Sequence, residues 1–295
     1  MTMKIGLVGD LDANTRWLTH VLNQMGSLKI SHVFVLGDFG LFTHNRNGIR
    51  FLDSINAVAE GNNLSVYALG GNHENWDHWE WYVDNLPSHK GFAAVRNNVL
   101  LAPRVHSFTL ANKRIVMAAG AVSINQVELR KIETGHVNPY GRVRGGTGPR
   151  TMWWPQEVLT DDEKAAVLRS GECDVLLTHD CSTHTPFTRR LVDNAPSQEN
   201  REFIDSLIEK TRPDFHAHGH MHEFYDWENR AARTDGGVTR TIGLNCDGVP
   251  KNWGLLNLET MDFDVEGVET KKTQEARRAA KAAEAAKSAA GSGGE

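Results

Sequence analysis

One unit recurs along this chain: a short apolar run followed by a cluster of Asp, Asn, His and Gly. Residues 4–9 lead to Asp10, residues 32–37 to Asp38, and residues 64–71 to Asn72 and His73. Residues 174–178 lead to His179, and residues 214–219 to His220 and His222. The first four runs are apolar almost throughout and rich in Val and Leu, as suits strands covered on both faces. The fifth is too polar to read as a strand on pattern alone and is placed by analogy.

Helical patterns separate the runs. Asn14 or Thr15 can cap a helix whose Trp17, Leu18, Val21 and Leu22 share one face. Phe51, Leu52, Ile55 and Val58 repeat that spacing, as do Phe203, Ile204, Leu207 and Ile208. Thr160 to Glu163 reads as a capping box ahead of Ala166, Val167 and Leu168. Strands alternating with helices imply βαβ units and a mainly parallel sheet. Residues 105–110 and 114–119 read as a hairpin turning at Ala111-Asn112, and residues 240–245 and 253–258 read similarly. These strands are expected to build a second sheet packed on the first, with helices outside both. No linker interrupts residues 1–268, so one domain is expected there, followed by an Ala/Lys/Glu-rich flexible or helical tail over residues 269–295.

In an open α/β sheet the strand ends collect polar groups in one crevice. Here they deliver Asp10, Asp12, Asp38, Asn72, His73, His179, His220 and His222. Carboxylate, amide and imidazole together suit borderline to hard divalent ions such as Mn²⁺, Fe²⁺ or Zn²⁺. Asp38, the carboxylate at the second strand end, is the natural bridge between two such ions. The three cysteines, Cys173, Cys181 and Cys246, have no paired spacing, which points to a reducing cytoplasm rather than a disulfide scaffold. Cys181 lies near His179 and His184 in sequence, yet a small semi-buried thiol is the better reading.

Taken jointly, these clusters resemble the calcineurin-like metallophosphoesterase superfamily. Its pattern is Asp-x-His, Gly-Asp, Gly-Asn-His-Asp/Glu, a lone His, and Gly-His-x-His. The matching segments are Gly9-Asp10-Leu11-Asp12, Gly37-Asp38, Gly71-Asn72-His73-Glu74, Thr178-His179-Asp180 and Gly219-His220-Met221-His222. Ala119 to Ser123 and Trp153 to Glu157 look like segments of small bacterial and phage-type members; a phage-encoded copy would work in its host's cytoplasm. The resemblance implies an α/β fold in four layers, α-β-β-α, with two mixed sheets flanked by helices. It implies a first metal on Asp10, Asp38 and His222, and a second on Asp38, Asn72, His179 and His220. It also implies that His73 stands beside the leaving group as proton donor, while hydroxide held between two cations attacks phosphorus in line.

One departure bears on the metal. The family usually carries His where this chain has Asp12, and often a second Asp where it has Leu41. Asp12 either offers the first metal an oxygen, favouring Mn²⁺ or Mg²⁺ over Zn²⁺, or does not reach it. Mn²⁺ is the expected ion.

Substrate is less constrained. A net charge of −5 gives no general attraction for polyanions, so strong nucleic-acid binding is not expected. No stretch reaches the roughly 18 apolar residues that span a membrane, and no secretory leader is apparent. The Gly- and Arg-rich residues 126–154 lack the Gly-Lys-Ser/Thr of a P-loop and read as a surface loop or as a substrate lid bearing Arg142, Arg144 and Arg150. With Trp153 and Trp154 close by, a small phosphodiester such as a cyclic nucleotide is preferred, stacked on an aromatic ring and clasped by arginine. A phosphomonoesterase, protein phosphatase or nuclease of the same fold, and a catalytically degenerate scaffold, are the alternatives.

Overall fold

The computed structural model describes residues 3–41, 46–123, 153–186 and 195–266. Residues 124–152, with Arg142, Arg144 and Arg150, lie outside the described residues, as does the expected tail over 269–295.

All five runs are strands. β1 (Lys4–Val8), β2 (His32–Leu36) and β3 (Ser65–Leu69) are each buried at their last four positions. β9 (Val175–Thr178) and β10 (Phe215–His218) are buried throughout. The helices between them follow the apolar spacing. α1 (Thr15–Ser27) starts where the Asn14 side chain accepts the Trp17 N–H at 3.0 Å, and it buries Leu18, Val21, Leu22 and Met25. α2 (Arg46–Gly61) buries Phe51, Leu52 and Ile55 against the same core. α3 (Trp76–Asn85) is capped by Asn75 and buries Trp76, Trp79 and Tyr82. α4 (Asp161–Leu168) opens with the expected capping box, and α5 (Ala195–Thr211) buries Phe203, Ile204, Leu207 and Ile208.

The remaining strands complete two mixed sheets. β4 (Ser88–His89), β5 (Phe92–Arg96) and β6 (Val99–Leu101) extend the first sheet. β7 (Val105–Leu110) and β8 (Lys113–Ala118) form the expected hairpin at the edge of the second. β11 (Tyr225–Asn229), β12 (Thr239–Gly243), β13 (Trp253–Asn257) and β14 (Phe263–Val265) follow β10. The first sheet has the order β14-β13-β1-β2-β3-β6-β5-β4, and the second β11-β12-β10-β9-β8-β7. Aromatic rings meet across the interface: Phe34 of β2 lies 5.8 Å from Phe108 of β7, and Phe215 of β10 lies 5.9 Å from Phe263 of β14. Alternation along β9 then fixes the outer layer. Val175 and Leu177 point into the central core, while Leu176 packs with Phe203, Ile204 and Leu207 of α5. The architecture is the α-β-β-α sandwich expected from the sequence. No helix among the described residues is long and apolar enough to cross a membrane.

One expectation fails. Residues 240–245 and 253–258 do not sit together in the second sheet. β12 runs parallel to β10 there, whereas β13 crosses to the first sheet and pairs antiparallel with β1, Val8 opposite Trp253. Asn252 makes this placement specific: its carbonyl accepts the Gly9 N–H at 2.7 Å, and its side chain donates to the carbonyls of Asp10 at 3.2 Å and Asn245 at 2.7 Å. Strand pattern alone does not say which sheet a strand joins.

Glu163 ties α4 to the rest. Its carboxylate accepts the Thr160 N–H at 2.7 Å and the Arg104 guanidinium at 2.7 and 3.0 Å. Burial works against the charge, but Arg104 and Thr160 outweigh it and hold Glu163 below its ordinary 4.5. A depressed folded pKa means the ionised group stabilises the fold above 4.5, and that contribution disappears as pH falls through the folded value. Glu163→Gln should therefore lower the melting temperature at pH 7, by the equivalent of about 1 kcal/mol. The gap from the parent protein should close as pH is taken from about 6 to below about 4; a constant gap would show that charge is irrelevant here.

Candidate metal centre

The loops after β1, β2, β3, β9 and β10 meet at one end of the sandwich. Asp10 and Asp38, each just past a strand, are fully buried carboxylates, and His179 is a fully buried imidazole. One ligand atom from each lies within 4.8 Å of the other two. The other strand-end residues arrange themselves around this trio. Asn72 Oδ1 is 3.0 Å from His179 Nε2, and Asp38 Oδ2 is 3.4 Å from the same nitrogen. His222 Nε2 is 2.7 Å from Asp10 Oδ2, and the His220 ring lies 5.0 Å from that of His179. His73 is different. Its backbone N–H donates to Asp38 Oδ1 at 2.9 Å, while the residue itself is exposed at the mouth of the cluster.

Backbone geometry holds these groups in place. His179 Nδ1 donates to the Leu36 carbonyl at 2.7 Å, which turns Nε2 toward Asp38 and Asn72. The His220 N–H donates to Asp10 Oδ1 at 2.8 Å. The Asp38 carbonyl accepts from Leu11 at 3.1 Å and from Asp12 at 2.8 Å, so the first two loops are laced together. Asp12, Asp38, His220 and His222 all adopt positive φ, between 44° and 62°. Such non-glycine residues cost about 1 kcal/mol or more each and persist where surrounding contacts over-determine them. Gly37 has φ +101°, and a Cβ there would fall 2.0 Å from His179 Nδ1. That close approach brings the β2 loop against the β9 histidine.

The electrostatics are those of buried carboxylates that draw charge onto the neighbouring imidazoles. Burial alone would raise Asp38, but His179 overcomes it and holds Asp38 well below the usual carboxylate range. Burial opposes a charge on His179 too, yet Asp38 and Asp10 outweigh it and lift the imidazole to about 10. Asp12 is pushed up to about 6, first by desolvation and then by repulsion from Asp38. His222 is raised by its hydrogen bond to Asp10, whereas burial and the charge on His179 lower His220. Buried oxygen and nitrogen donors this close together match a divalent-ion cluster of borderline to hard preference.

The model of the family described as calcineurin-like phosphoesterase matches residues 3–224, which contain every one of these groups. The chain belongs to this family. Calcineurin-like phosphoesterases depend on a dinuclear metal centre. Among solved structures, TT1561 of Thermus thermophilus is similar at 8% identity and TM-score 0.53, covering 90% of this chain and 98% of that one. A dimetal phosphatase from Danio rerio is similar at 14% identity and TM-score 0.50, covering 87% and 92%. At these identities the likeness is one of fold. Among curated proteins none matches.

Three supports of this phosphoesterase site were not foreseen from the sequence as such. Glu74, fully buried, accepts the N–H groups of Phe39 at 2.6 Å, Gly40 at 3.4 Å and Leu41 at 2.8 Å. It thereby shapes the loop carrying Asp38, although burial and Asp38 push its carboxyl up to about 8. Leu41 is buried and contributes its backbone to that nest. Ser123 and Glu157 form the second support, beside Asn72, and Asn252 the third, beneath Asp10. The Glu74 position was visible as a motif letter, and Ser123 and Glu157 close the two segments that resemble small family members, without their link being apparent; Asn252 carries no local signature.

The aromatic expectation needs correcting. Trp154 is buried in the main core and its Nε1 donates to Asp77 at 3.1 Å, so its ring is not a platform for a substrate base. Trp153 is half-buried. Cys181 is fully buried, and burial pushes its thiol far up, which leaves no thiolate for chemistry.

Proposed function

We propose that this phosphoesterase is a Mn²⁺-preferring hydrolase of small phosphodiesters, a cyclic nucleotide being the model substrate. The observation that carries the reading is the convergence of Asp10, Asp38 and His179, buried, with ligand atoms within 4.8 Å. Asp10, Asp38 and His222 would hold one cation, and Asp38, Asn72, His179 and His220 the other. Asp12 would add an oxygen to the first, which supports Mn²⁺ or Mg²⁺ over Zn²⁺. Two divalent ions bound there supply charge neutralisation at the phosphoryl oxygens and hydroxide near neutral pH.

The chain's own groups do the rest. Asp38 orients the His73 segment through the His73 N–H, which leaves that ring at the exposed mouth to give a proton to the departing oxygen. The buried His179 must surrender its proton for Nε2 to become a ligand, and the Leu36 carbonyl keeps that nitrogen aimed inward meanwhile. Arg142, Arg144 and Arg150 carry the substrate preference as a sequence argument, as groups that would meet phosphate.

A panel of 2′,3′- and 3′,5′-cyclic nucleotides, a bis-aryl phosphodiester and matched phosphomonoesters, assayed with Mn²⁺, Mg²⁺ and Zn²⁺, tests this. Diester cleavage strongest with Mn²⁺ is expected. Activity confined to monoesters would overturn the diester reading, and a clear Zn²⁺ preference with a full first site would overturn the metal assignment.

A further inference from the structure

An amide side chain can hold a cation only through its oxygen, yet either orientation of Asn72 fills the same space. Its surroundings decide between them. Asn72 Nδ2 donates to Ser123 Oγ at 3.0 Å, with Oδ1 toward His179 Nε2 at 3.0 Å. Ser123 Oγ in turn donates to Glu157 Oε2 at 2.6 Å, and the Ser123 N–H donates to Glu157 Oε1 at 3.1 Å. Asn72, Ser123 and Glu157 are all buried. A hydroxyl has a single proton, and an ionised carboxylate only accepts. With that proton spent on Glu157, Ser123 Oγ offers Asn72 lone pairs alone, which an NH₂ can use and a carbonyl oxygen cannot.

Glu157 is itself clamped. It closes the short 3-10 turn Pro155–Glu157, and Arg104 donates to the carbonyls on either side of it, those of Gln156 and Val158. Gly120, at φ +88°, lets the strap approach: a Cβ there would lie 2.1 Å from the Glu157 carbonyl oxygen. Burial raises the Glu157 carboxyl, and the hydrogen bonds from Ser123 offset that rise only in part.

We propose that Glu157, acting through Ser123, is a positioning residue that turns the Asn72 amide so its oxygen faces the cation site. This rests on the reading of Asn72 as a ligand. Glu157 touches neither cation nor substrate; it sets the polarity of a three-member hydrogen-bond relay. Outer partners of this kind are worth about 10–100-fold in metal affinity.

The test is calorimetric titration of the metal-free protein with Mn²⁺, beside thermal unfolding of the same samples. Glu157→Gln and Ser123→Ala should each weaken one of two Mn²⁺ sites by about 10–100-fold, leave the other nearly unchanged, and preserve the metal-free melting temperature. Should Glu157→Gln fail to fold, Ser123→Ala, which keeps the carboxylate, carries the same readout. A sign reversal provides the sharper arm. An Asn72→Asp ligand needs a proton from Ser123 rather than a lone pair, and a glutamine at 157 supplies that polarity. Glu157→Gln should therefore weaken Mn²⁺ binding with Asn72 present and tighten it in the Asn72→Asp background. Equal weakening in both backgrounds, no weakening, or parallel loss of both sites with a fallen metal-free melting temperature would overturn the relay. Parent protein that binds no divalent ion would instead sink the metal-centre reading itself.

Discussion

Replacing Asp38 with Asn is expected to cut Mn²⁺-dependent hydrolysis of an aryl phosphodiester by more than about 100-fold, beyond the range typical of outer-shell changes. The substitution keeps size and shape, so the loss isolates chemistry. Asp38 Oδ1 is committed to the His73 N–H at 2.9 Å, and Oδ2 faces His179 at 3.4 Å. An amide that keeps the first contact must place its NH₂ where the second oxygen was, aimed at the site of the shared cation. Mn²⁺ stoichiometry should fall below two per chain in the same variant. Asp12 supplies an internal check, because repulsion from Asp38 is among the causes that push it up to about 6. In metal-free Asp38→Asn its titration should move down toward the ordinary 3.8. Near-parental activity and two bound ions would remove Asp38 from its role as the bridge.

His73→Ala should behave otherwise. The residue is exposed and its contact with Asp38 runs through the backbone, so removal of the ring leaves the cluster assembled. We expect kcat to fall by about 10²–10⁴-fold with Mn²⁺ affinity unchanged. Because the assigned task is proton donation, the loss should be greatest for alkyl leaving groups and small for a nitrophenolate, which departs without a proton. An equal loss across leaving groups would point to charge stabilisation of the phosphoryl group instead.

Much of this molecule was legible in the sequence because its strands are covered on both faces. Runs such as residues 32–36 and 174–178 then read as continuous apolar stretches, and the polar residue that ends each run marks a strand end. β10 was harder to read. His216 and His218 alternate with Phe215 and Ala217, and both histidines are buried, His216 against Thr178 and His218 against Tyr225. A buried histidine looks in sequence like a surface one. The relay from Glu157 to Asn72 was invisible for another reason: its members are 51 and 34 residues apart and lie in segments without periodicity. Trp154 misled because an indole whose N–H finds Asp77 can be buried as readily as it can stack on a ligand.

The crossing of β13 has a consequence for how the protein is made. β1 lies between β2 and β13, yet more than 240 residues separate Val8 from its partner Trp253. On the ribosome the Asp10 strand emerges long before β13 and keeps one edge unpaired until translation has almost passed through the described residues. An open edge is a template for wrong pairing, and long-range closure of this kind is slow. Asn252, arriving with the late strand, is what finally ties down the Asp10 carbonyl. The first acid of the cluster to be synthesised is therefore among the last to have its backbone tied down.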